Sequence, residues 1–359
     1  MKICVYAIAK NEEKFARRWA QSMSEADEII VLDTGSTDKT AEILSELPKV
    51  RVYTEAISPW RFDTARNRCL EKVPEDADYC ISTDLDEVFS EGWREKLEKV
   101  LSLSPDKVSY RYTWSFNEDG TENTVFNIEK IHKRHGFIWT HPVHEVLTFQ
   151  GEGVPKTVFC EGLRLFHYPD NKKSRSQYLP LLELSVKEKP EDDRNMHYLG
   201  REYMFYGRYR EAIDTLMKHL SLKTALWRDE RSASMRYIAR CYKALNLPSE
   251  AENWLLRACS EAPHLREPLT DAAVFFYEQK NWYGVLFFCL KALEITERTD
   301  TYITDASAWG EKPYDLLSLA FYHTGDIENA VKYAERALEI SPADERIRGN
   351  LGFFRSCMK

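Results

Sequence analysis

Two groups of carboxylates follow short apolar segments in the first quarter of the chain. Asp33 ends an apolar run and begins the sequence Asp33-Thr34-Gly35-Ser36-Thr37-Asp38, and Asp84 and Asp86 follow the apolar run 78–83. The carboxyl ends of parallel strands face the ligand crevice of an open α/β sheet, so these side chains are expected at one edge of such a sheet. An isolated acidic turn is common and often serves only as a helix cap. Two such turns at neighbouring strand ends favour a binding site.

The pair Asp84 and Asp86 predicts a cation. Alternate residues of a strand share a face, so the two side chains are expected near one another. Two carboxylates this close repel each other unless a positive charge neutralises them. A hard divalent ion with oxygen ligands fits that need, and a nucleotide diphosphate would complete its coordination.

The elements that position these residues alternate in type through about residue 105. Strands are predicted at 2–8, 28–33, 50–55 and 78–83, and helices at 12–21, 37–45, 63–72 and 91–102. This alternation indicates a mostly parallel sheet flanked by helices. Longer β runs at 108–116, 125–132, 145–149 and 157–166 predict antiparallel or mixed additions.

From residue 192 the strand signals end and a helical period continues. Small or apolar residues at positions 212, 251, 285 and 330 are spaced 39, 34 and 45 residues apart, close to the 34-residue tetratricopeptide period with two insertions. A generic helical bundle is the alternative, but the last unit matches the repeat pattern at most positions. We therefore predict an α/β domain at 1–170, a linker helix region at 171–191 and repeats at 192–359.

Composition narrows the function classes. The 359 residues carry a formal charge of −8, with 22 Lys and Arg against 30 Asp and Glu in residues 1–170 and 28 of each in 171–359. The acidic balance argues against a nucleic-acid binder. The eight cysteines contain no C-x-x-C pair and are expected to be buried free thiols, which is typical of a reducing compartment. With no apolar run long enough for a membrane span and no signal-peptide pattern, a cytoplasmic protein is expected.

Four motifs in order resemble the family 2 glycosyltransferases of the GT-A fold. They are Ala9-Lys10-Asn11-Glu12-Glu13, Asp33-Thr34-Gly35-Ser36-Thr37-Asp38, Ala65-Arg66-Asn67 and Asp84-Leu85-Asp86, and together they cover roughly residues 1–90. The resemblance implies inverting transfer of a sugar from a nucleotide diphosphate donor, usually a UDP-sugar, with Mn²⁺ or Mg²⁺. With the helical repeats, it narrows to bacterial enzymes that join this domain to tetratricopeptide units.

The resemblance also implies roles for individual residues. Asp33 would hydrogen-bond the uracil, Arg66 would approach the base or diphosphate, and Asp84 and Asp86 would meet the ribose and the metal. Ala9, Asn11 and Glu13 would belong to the same nucleotide-sugar site. Many members have a second Asp where this chain has Thr34, so a hydroxyl replaces that carboxylate or its role is absent.

The segment Trp139-Thr140-His141-Pro142-Val143-His144-Glu145 supplies a candidate general base. Inverting transfer requires a group that deprotonates the acceptor, and Glu145 is the first candidate, since similar enzymes carry a like W-x-x-P-x-H-E pattern. The alternative is a strand-initial Glu that pairs with a nearby Lys or Arg. Trp139 and His144 are candidate sugar or acceptor contacts.

Further candidates follow the last β run. In similar GT-A enzymes a late His completes the metal shell, which makes His167 a candidate ligand beside Asp84 and Asp86, with a structural strand-end His as the alternative. Lys172 and Arg175 would supply positive charge to the departing UDP, or else form an exposed linker. The basic group of Lys130, His132, Lys133, Arg134 and His135 would meet an anionic acceptor or nothing.

These observations predict a metal-dependent inverting glycosyltransferase that moves a hexose from a UDP-sugar to a hydroxyl or thiol. The repeats would bind a peptide, protein or glycan acceptor or a partner, and a homodimer is a further expectation. Two alternatives remain. A sugar nucleotidyltransferase usually has a Gly-rich loop after the first strand, which is absent here. An inactive tetratricopeptide interaction protein would not need Asp33, Arg66, Asp84 and Asp86 together.

Overall fold

The computed structural model describes residues 1–117, 119–170 and 177–358. The chain forms two compact units, one of Met1–Ser185 with Asp300–Tyr302 and the other of Val186–Thr299 with Ile303–Lys359. The division after Ser185 falls inside the segment 171–191, where the sequence predicts a linker.

The first unit is built on an eight-stranded sheet. Its strands in chain order are β1 (Ile3–Ala9), β2 (Glu28–Asp33), β3 (Val50–Thr54), β4 (Tyr79–Ser82), β5 (Glu87–Phe89), β6 (Lys107–Phe116), β7 (Glu122–Lys133) and, after a separate hairpin, β10 (Thr157–His167). Their order across the sheet is β3-β2-β1-β4-β7-β6-β10-β5.

The first four strands in that order are parallel, and the rest are mixed. β2 pairs in parallel with both β1 and β3, and β1 with β4. β7 is antiparallel to both β4 and β6, while β10 is parallel to β6 and antiparallel to β5. The predicted parallel sheet with antiparallel additions is therefore confirmed.

Four helices connect the strands: α1 (Glu13–Ser22), α2 (Thr40–Ser45), α3 (Phe62–Glu71) and α4 (Trp93–Leu101). Their apolar faces cover the sheet because the strands are hydrophobic on both sides. One core cluster contains Trp19 of α1 and Trp93 of α4, both fully buried, and a second contains Cys69 and Leu70 of α3. Rigid strands held between these layers fix the position of the loops at their ends.

Two short strand features escaped sequence prediction. β5 has three residues, and the hairpin of β8 (Phe137–Thr140) and β9 (Val146–Phe149) forms a separate two-stranded sheet. A three-residue strand offers too few alternating positions to be recognised. The hairpin matters because it encloses the segment that contains His144 and Glu145.

The regular secondary structure among the described residues of the second unit is all helical. After α5 (Tyr178–Glu188), its helices are α6 (Asp193–Phe205), α7 (Tyr209–Ser221), α8 (Arg228–Ala244), α9 (Pro248–Glu261), α10 (Arg266–Glu278), α11 (Trp282–Glu294), α12 (Lys312–His323), α13 (Ile327–Ile340) and α14 (Glu345–Ser356). α6 begins after Asp192, whose side chain accepts a hydrogen bond from the backbone of Asn195. The segment between α11 and α12, with a 3-10 turn at Ala306–Ala308, is the longer of the two predicted insertions.

The predicted repeat positions are the contacts between paired helices. Ala212, Ala251, Val285 and Ala330 are all buried and lie on α7, α9, α11 and α13, the second helix of each pair. Small side chains there let the helices approach closely. The tetratricopeptide-like arrangement is therefore confirmed.

Most of the cysteines are buried, as the sequence predicts. Cys4, Cys69, Cys80, Cys160, Cys241 and Cys289 are buried, but Cys357 is exposed because it follows the last helix, and Cys259 is intermediate. Among the described helices, none has an apolar stretch of the length that a bilayer crossing needs.

Candidate active site

The candidate site lies where β1, β2 and β4 end. Ala9 pairs with Asp33 at the ends of β1 and β2, and Tyr6 of β1 pairs with Ser82, the last residue of β4. The predicted residues at 9–13, 33–38 and 84–86 therefore leave the sheet at the same edge, as the parallel register requires.

The two carboxylate oxygens of Asp33 differ in their hydrogen bonding. Its side chain is 2% exposed, and Oδ1 accepts hydrogen bonds from the backbone N–H groups of Gly35 at 2.9 Å and Ser36 at 2.8 Å. Gly35 has a φ of 105°, a conformation that favours glycine and closes this turn. Oδ2 is buried without a hydrogen-bond partner. Buried polar atoms normally have partners, so Oδ2 is available as a hydrogen-bond acceptor.

Asn11 and Glu13 support the loop that contains Asp33. Oδ1 of Asn11 accepts a hydrogen bond from the backbone N–H of Thr37 at 2.7 Å. Oε2 of Glu13 accepts one from the backbone N–H of Lys39 at 3.0 Å. These two side chains, which were predicted to belong to the nucleotide-sugar site, thus accept hydrogen bonds from the backbone of the neighbouring loop.

Thr34, at the position where the family resemblance implies a second Asp in many members, binds the first strand. Its backbone N–H and its hydroxyl both donate to the carbonyl of Ala9, at 2.9 and 3.1 Å. Thr34 therefore ties β2 to β1.

Arg66 is the centre of a buried polar network. It lies on α3, is 4% exposed, and its guanidinium donates from Nε to Oε1 of Glu145, to Oγ of Ser82 at 3.1 Å and to Oδ1 of Asp84 at 2.7 Å. Its guanidinium carbon lies 5.1 Å from the ring centroid of Trp139. Arg66 thereby joins the end of β4 to the β8-β9 hairpin.

Asp84 is neutralised by protein cations. Besides Arg66, Nζ of Lys130 donates to Oδ2 of Asp84 at 3.2 Å. Burial alone would raise the pKa of Asp84, but the charges of Arg66 and Lys130 hold it well below its usual value. From the sequence, a metal ion was expected to neutralise the negative charge of this carboxylate. In the structure, the ammonium of Lys130 and the guanidinium of Arg66 contact it. Its predicted role as a metal ligand stays a proposal.

Glu87 and Lys130 belong to this network. The sequence predicted no role for Glu87, and it predicted Lys130 only as a member of the basic group. Oε1 of the fully buried Glu87 accepts from Lys130 Nζ at 3.0 Å and from the Tyr112 hydroxyl at 2.8 Å, and Oε2 accepts from the backbone N–H of Asp84 at 2.8 Å. Burial raises the pKa of Glu87. The available sequence signal for Lys130 was its position inside the predicted β run 125–132, which forms part of β7 and pairs with β4.

Asp86 and His167, two of the candidate metal ligands, lie against each other. Oδ2 of Asp86 is 3.4 Å from Nε2 of His167, while Nδ1 of His167 lies 3.0 Å from the backbone carbonyl of Trp114. The carbonyl can only accept, so Nδ1 carries a proton and Nε2 faces the carboxylate. Burial by itself would lower the pKa of His167, but the hydrogen bond and charge of Asp86 raise it.

The Asp86 and His167 side chains therefore fit a divalent cation. An imidazole nitrogen and a carboxylate oxygen form a donor set that suits Mn²⁺. A His that ligates a metal usually donates a hydrogen bond from its other ring nitrogen to a carbonyl or carboxylate, which is the arrangement with the Trp114 carbonyl.

Asp84 and Asp86 do not share a strand face. β4 ends at Ser82, so strand alternation does not reach these two residues, and their carboxylates contact different groups.

A hydrogen-bonded relay of the Tyr6 hydroxyl and the His132 imidazole positions Trp139. Its Nε1 donates to the Tyr6 hydroxyl at 2.7 Å, and that hydroxyl lies 2.9 Å from Nε2 of His132. Nδ1 of His132 lies 2.7 Å from the carbonyl of Lys133, so Nε2 is the acceptor of the relay. Burial lowers the pKa of His132 to about 4. Trp139 is itself buried, and its ring packs against the guanidinium of Arg66.

The remaining predictions concern His144, the two cations after the last strand and the basic group. His144 has a φ of 51° and its ring centroid lies 5.8 Å from that of Tyr178. Lys172 and Arg175 lie outside the described residues. Of the other members of the basic group, Lys133 pairs with Asp106, and Arg134 and His135 pair with Glu75.

Two family models match the chain. One described as "Glycosyl transferase family 2" matches residues 4–169. One described as "Prolyl 4-hydroxylase peptide-substrate-binding domain" matches residues 271–359. The first match covers the sheet with all the site residues described above, and the second covers the last helix pairs.

Curated relatives are similar over part of their length. The chain is 28% identical over 229 residues to the SPbeta prophage-derived glycosyltransferase SunS of Bacillus subtilis (strain 168), covering 60% of this chain and 52% of the relative. It is 28% identical over 119 residues to the lipopolysaccharide core biosynthesis glycosyltransferase LpsC of Rhizobium meliloti (strain 1021), covering 31% of this chain and 41% of the relative. The chain thus spans about half the length of the curated relatives it matches.

Solved structures resemble the chain more remotely. A crystal structure of MamA covers 50% of this chain and 99% of its own, with 18% identity and a TM-score of 0.39. Another, of the tetratricopeptide protein YrrB, covers 48% of this chain and 80% of its own, with 14% identity and a TM-score of 0.35.

Proposed function

We propose that the chain catalyses metal-dependent inverting transfer of a hexose from a UDP-sugar. Its motifs predict a family 2 glycosyltransferase domain joined to tetratricopeptide-like repeats, and two family models match these two regions. The acceptor is a hydroxyl or thiol of a peptide, protein or glycan. The name glycosyltransferase that both curated relatives carry supports the reaction class.

The observation that carries the proposal is the buried, unpartnered Oδ2 of Asp33. Leaving a buried acceptor unsatisfied costs about 1–3 kcal/mol, so such an atom is expected to serve a ligand. Uracil presents a ring N–H between two carbonyl groups, and a carboxylate is the acceptor for that N–H. Because Oδ1 is fixed by Gly35 and Ser36, Oδ2 is already oriented before the donor binds.

Asp86 and His167 would hold the divalent cation, Mn²⁺ or Mg²⁺, with Asp84 as a further ligand. A cation bound there would stabilise the negative charge that develops on the UDP leaving group. The protein contributes the orientation: the Trp114 carbonyl fixes the ring of His167 so that Nε2 faces Asp86. Arg66 and Lys130 keep Asp84 ionised, which preserves it as an oxygen ligand and a ribose contact.

Glu145 would act as the base that deprotonates the acceptor. Arg66 binds Oε1 of Glu145, which fixes the carboxylate and leaves Oε2 to take a proton. The left-handed residues His141 and His144 shape the turn before it. Attack on the anomeric carbon from the face opposite the UDP inverts its configuration, so the base must approach from the acceptor side.

The acceptor proposal rests on the repeats. The family model that matches residues 271–359 is described as a peptide-substrate-binding domain, which favours a peptide or protein acceptor over a lipid-linked glycan. A cytoplasmic location remains part of the proposal, because reduced thiols at all eight cysteines suit a reducing compartment.

Calorimetric titration of UDP into the purified chain tests the donor site. We expect saturable UDP binding in Mn²⁺ that weakens at least tenfold in EDTA. Absence of UDP binding under both conditions contradicts the assignment of the site, and equal binding under both conditions contradicts its dependence on a metal.

A further inference from the structure

A second group of potential metal ligands lies in the helical unit. Asp193 on α6, His219 on α7 and Glu230 on α8 place one ligand atom each within 4.8 Å of one another. Three successive helices therefore converge on one point through an imidazole and two carboxylates. His219 is fully buried and Glu230 is 3% exposed, so the group lies largely inside the unit.

His219 directs an unpartnered nitrogen into this group. Its Nδ1 lies 2.9 Å from the hydroxyl of Ser234, which fixes the plane of the ring. Its Nε2 is buried without a hydrogen-bond partner, although it lies only 3.3 Å from Oε1 of Glu230. The contact is close but lacks the direction of a hydrogen bond, so a further partner for Nε2 is needed.

The separation between Nε2 of His219 and Oε1 of Glu230 is compatible with a shared metal ion. Zinc binds imidazole nitrogen and carboxylate oxygen at about 2.0–2.2 Å, and two ligands at tetrahedral angles around it are then about 3.4 Å apart. The distance of 3.3 Å between Nε2 of His219 and Oε1 of Glu230 matches that spacing.

The surroundings of His219 also resemble those of a ligand. The Ser234 hydroxyl lies between two imidazoles, 2.9 Å from Nδ1 of His219 and 2.7 Å from Nδ1 of His197. Ligating imidazoles are commonly oriented by a hydrogen bond to the other ring nitrogen. Burial lowers the pKa of His197 to about 3, so His197 stays neutral beside the group.

We propose that Asp193, His219 and Glu230 bind Zn²⁺ in the helical unit, separately from the cation of the glycosyltransferase domain. Three protein ligands leave one tetrahedral position for water. The ion would join the helix pair of α6 and α7 to α8, and so stabilise the first part of the repeat array.

The test uses the full chain in a background that removes other zinc sites. The substitutions Asp86→Ala and His167→Ala eliminate the candidate cation site of the first unit, and Cys357→Ser removes an exposed thiol. The protein is stripped with EDTA, dialysed against Zn²⁺ and desalted, and the bound metal is counted by mass spectrometry. We expect one zinc ion per chain.

Three further variants in that background assign the ion to residues. Asp193→Asn and His219→Gln should each weaken Zn²⁺ binding at least tenfold. His264→Gln is the matched control, because Nε2 of His264 also lies near a carboxylate, at 2.9 Å from Oδ1 of Asp229, in a pair outside the group of three. It should bind zinc as the background does. Circular dichroism verifies that each variant is folded, and Asp193, which is only partly buried, keeps the test usable if His219→Gln unfolds.

Thermal unfolding supplies a second measurement. An ion that binds only the folded state raises the unfolding midpoint. Zn²⁺ should raise it in the background and in His264→Gln, but not in Asp193→Asn. No bound zinc in the background would show that His219 and Glu230 form only an ion pair. Equal binding in Asp193→Asn would show that the ion is not held by the proposed three ligands. Either result would overturn the proposal.

Discussion

The guanidinium of Arg66 donates a hydrogen bond from Nε to the carboxylate of Glu145, although the two residues are 79 positions apart in the chain. The same guanidinium holds Asp84 at 2.7 Å. One buried side chain therefore couples the proposed base to the acidic turn that follows β4. This coupling makes Arg66 the residue whose removal should affect most of the site at once.

We predict that Arg66→Ala destabilises the protein by about 3 kcal/mol, because it leaves the Asp84 and Glu145 carboxylates without their buried cation. Denaturant unfolding measures the loss. Arg68→Ala is the matched control on the same helix, since Arg68 is half exposed and pairs only with surface carboxylates. It should change stability by less than about 0.5 kcal/mol. Equal losses of stability in the two variants would show that Arg66 does not stabilise the network more than a surface arginine does.

We predict that Asp33→Asn weakens UDP binding at least tenfold without unfolding the protein. An amide oxygen can still accept from Gly35 and Ser36, but the amide nitrogen that replaces Oδ2 is a donor and opposes a ligand N–H. Calorimetry with UDP measures the effect. Asp38→Asn is the control, because Asp38 binds Thr40 and Glu13 in the same loop. If both variants lose UDP equally, Asp33 acts through loop structure and not by contact.

Removal of the divalent cation should abolish sugar transfer. We expect EDTA to lower UDP release from the donor at least 100-fold, Mn²⁺ to restore it, and Asp86→Ala to be inactive with and without Mn²⁺. Asp76→Ala, at an exposed ion pair with Lys2, should retain the wild-type rate. Activity of Asp86→Ala at the wild-type level would place the cation elsewhere.

Gly200 tests the tetratricopeptide-like packing. A Cβ at this position would lie 2.5 Å from Cγ of Leu216 on the paired helix, so Gly200→Ala should destabilise the protein by about 1–3 kcal/mol. Gly349 on α14 is the control, because a Cβ there meets no atom within 4 Å. Gly349→Ala should be neutral or stabilise by up to about 1 kcal/mol. Thermal unfolding of the two variants distinguishes a close helix contact from an incidental glycine.

His132 should make stability depend on pH. Its folded pKa is lowered to about 4, from an ordinary 6.5, so the unfolded chain binds a proton that the folded chain refuses between these values. Stability is therefore lost as the pH falls from about 6.5 to 4, by up to about 3 kcal/mol. Gln keeps a donor and an acceptor but does not titrate, so His132→Gln should lose less stability over this range. Parallel denaturation curves for wild type and variant would contradict the assignment.

Strand-end reasoning located Asp33, Asp84 and Asp86 because it depends only on where apolar runs end and on the rule that parallel strands end together. It could not identify the partners of these residues. Lys130 reaches Asp84 only because β7 pairs antiparallel to β4, and Glu145 reaches Arg66 through a hairpin that has no strong sequence signal. Such contacts depend on strand order and on side-chain orientation, which residue spacing does not determine.

The repeats were more predictable than the site. Ala212, Ala251 and Ala330 occupy equivalent positions in the first, second and fourth helix pairs, and a period can be read from one sequence. The group of Asp193, His219 and Glu230 was not predicted, because its members lie on three helices and share no spacing rule.

The most direct test of the proposed reaction is a measurement of UDP release. The purified chain is incubated with Mn²⁺, a panel of UDP-sugars and a peptide library that includes Ser, Thr and Cys acceptors. We predict release from one UDP-hexose, with the hexose on the acceptor in inverted configuration, and a loss of at least 100-fold in Glu145→Gln with UDP binding retained. Absence of release from every donor, while UDP still binds, would contradict the proposed transfer.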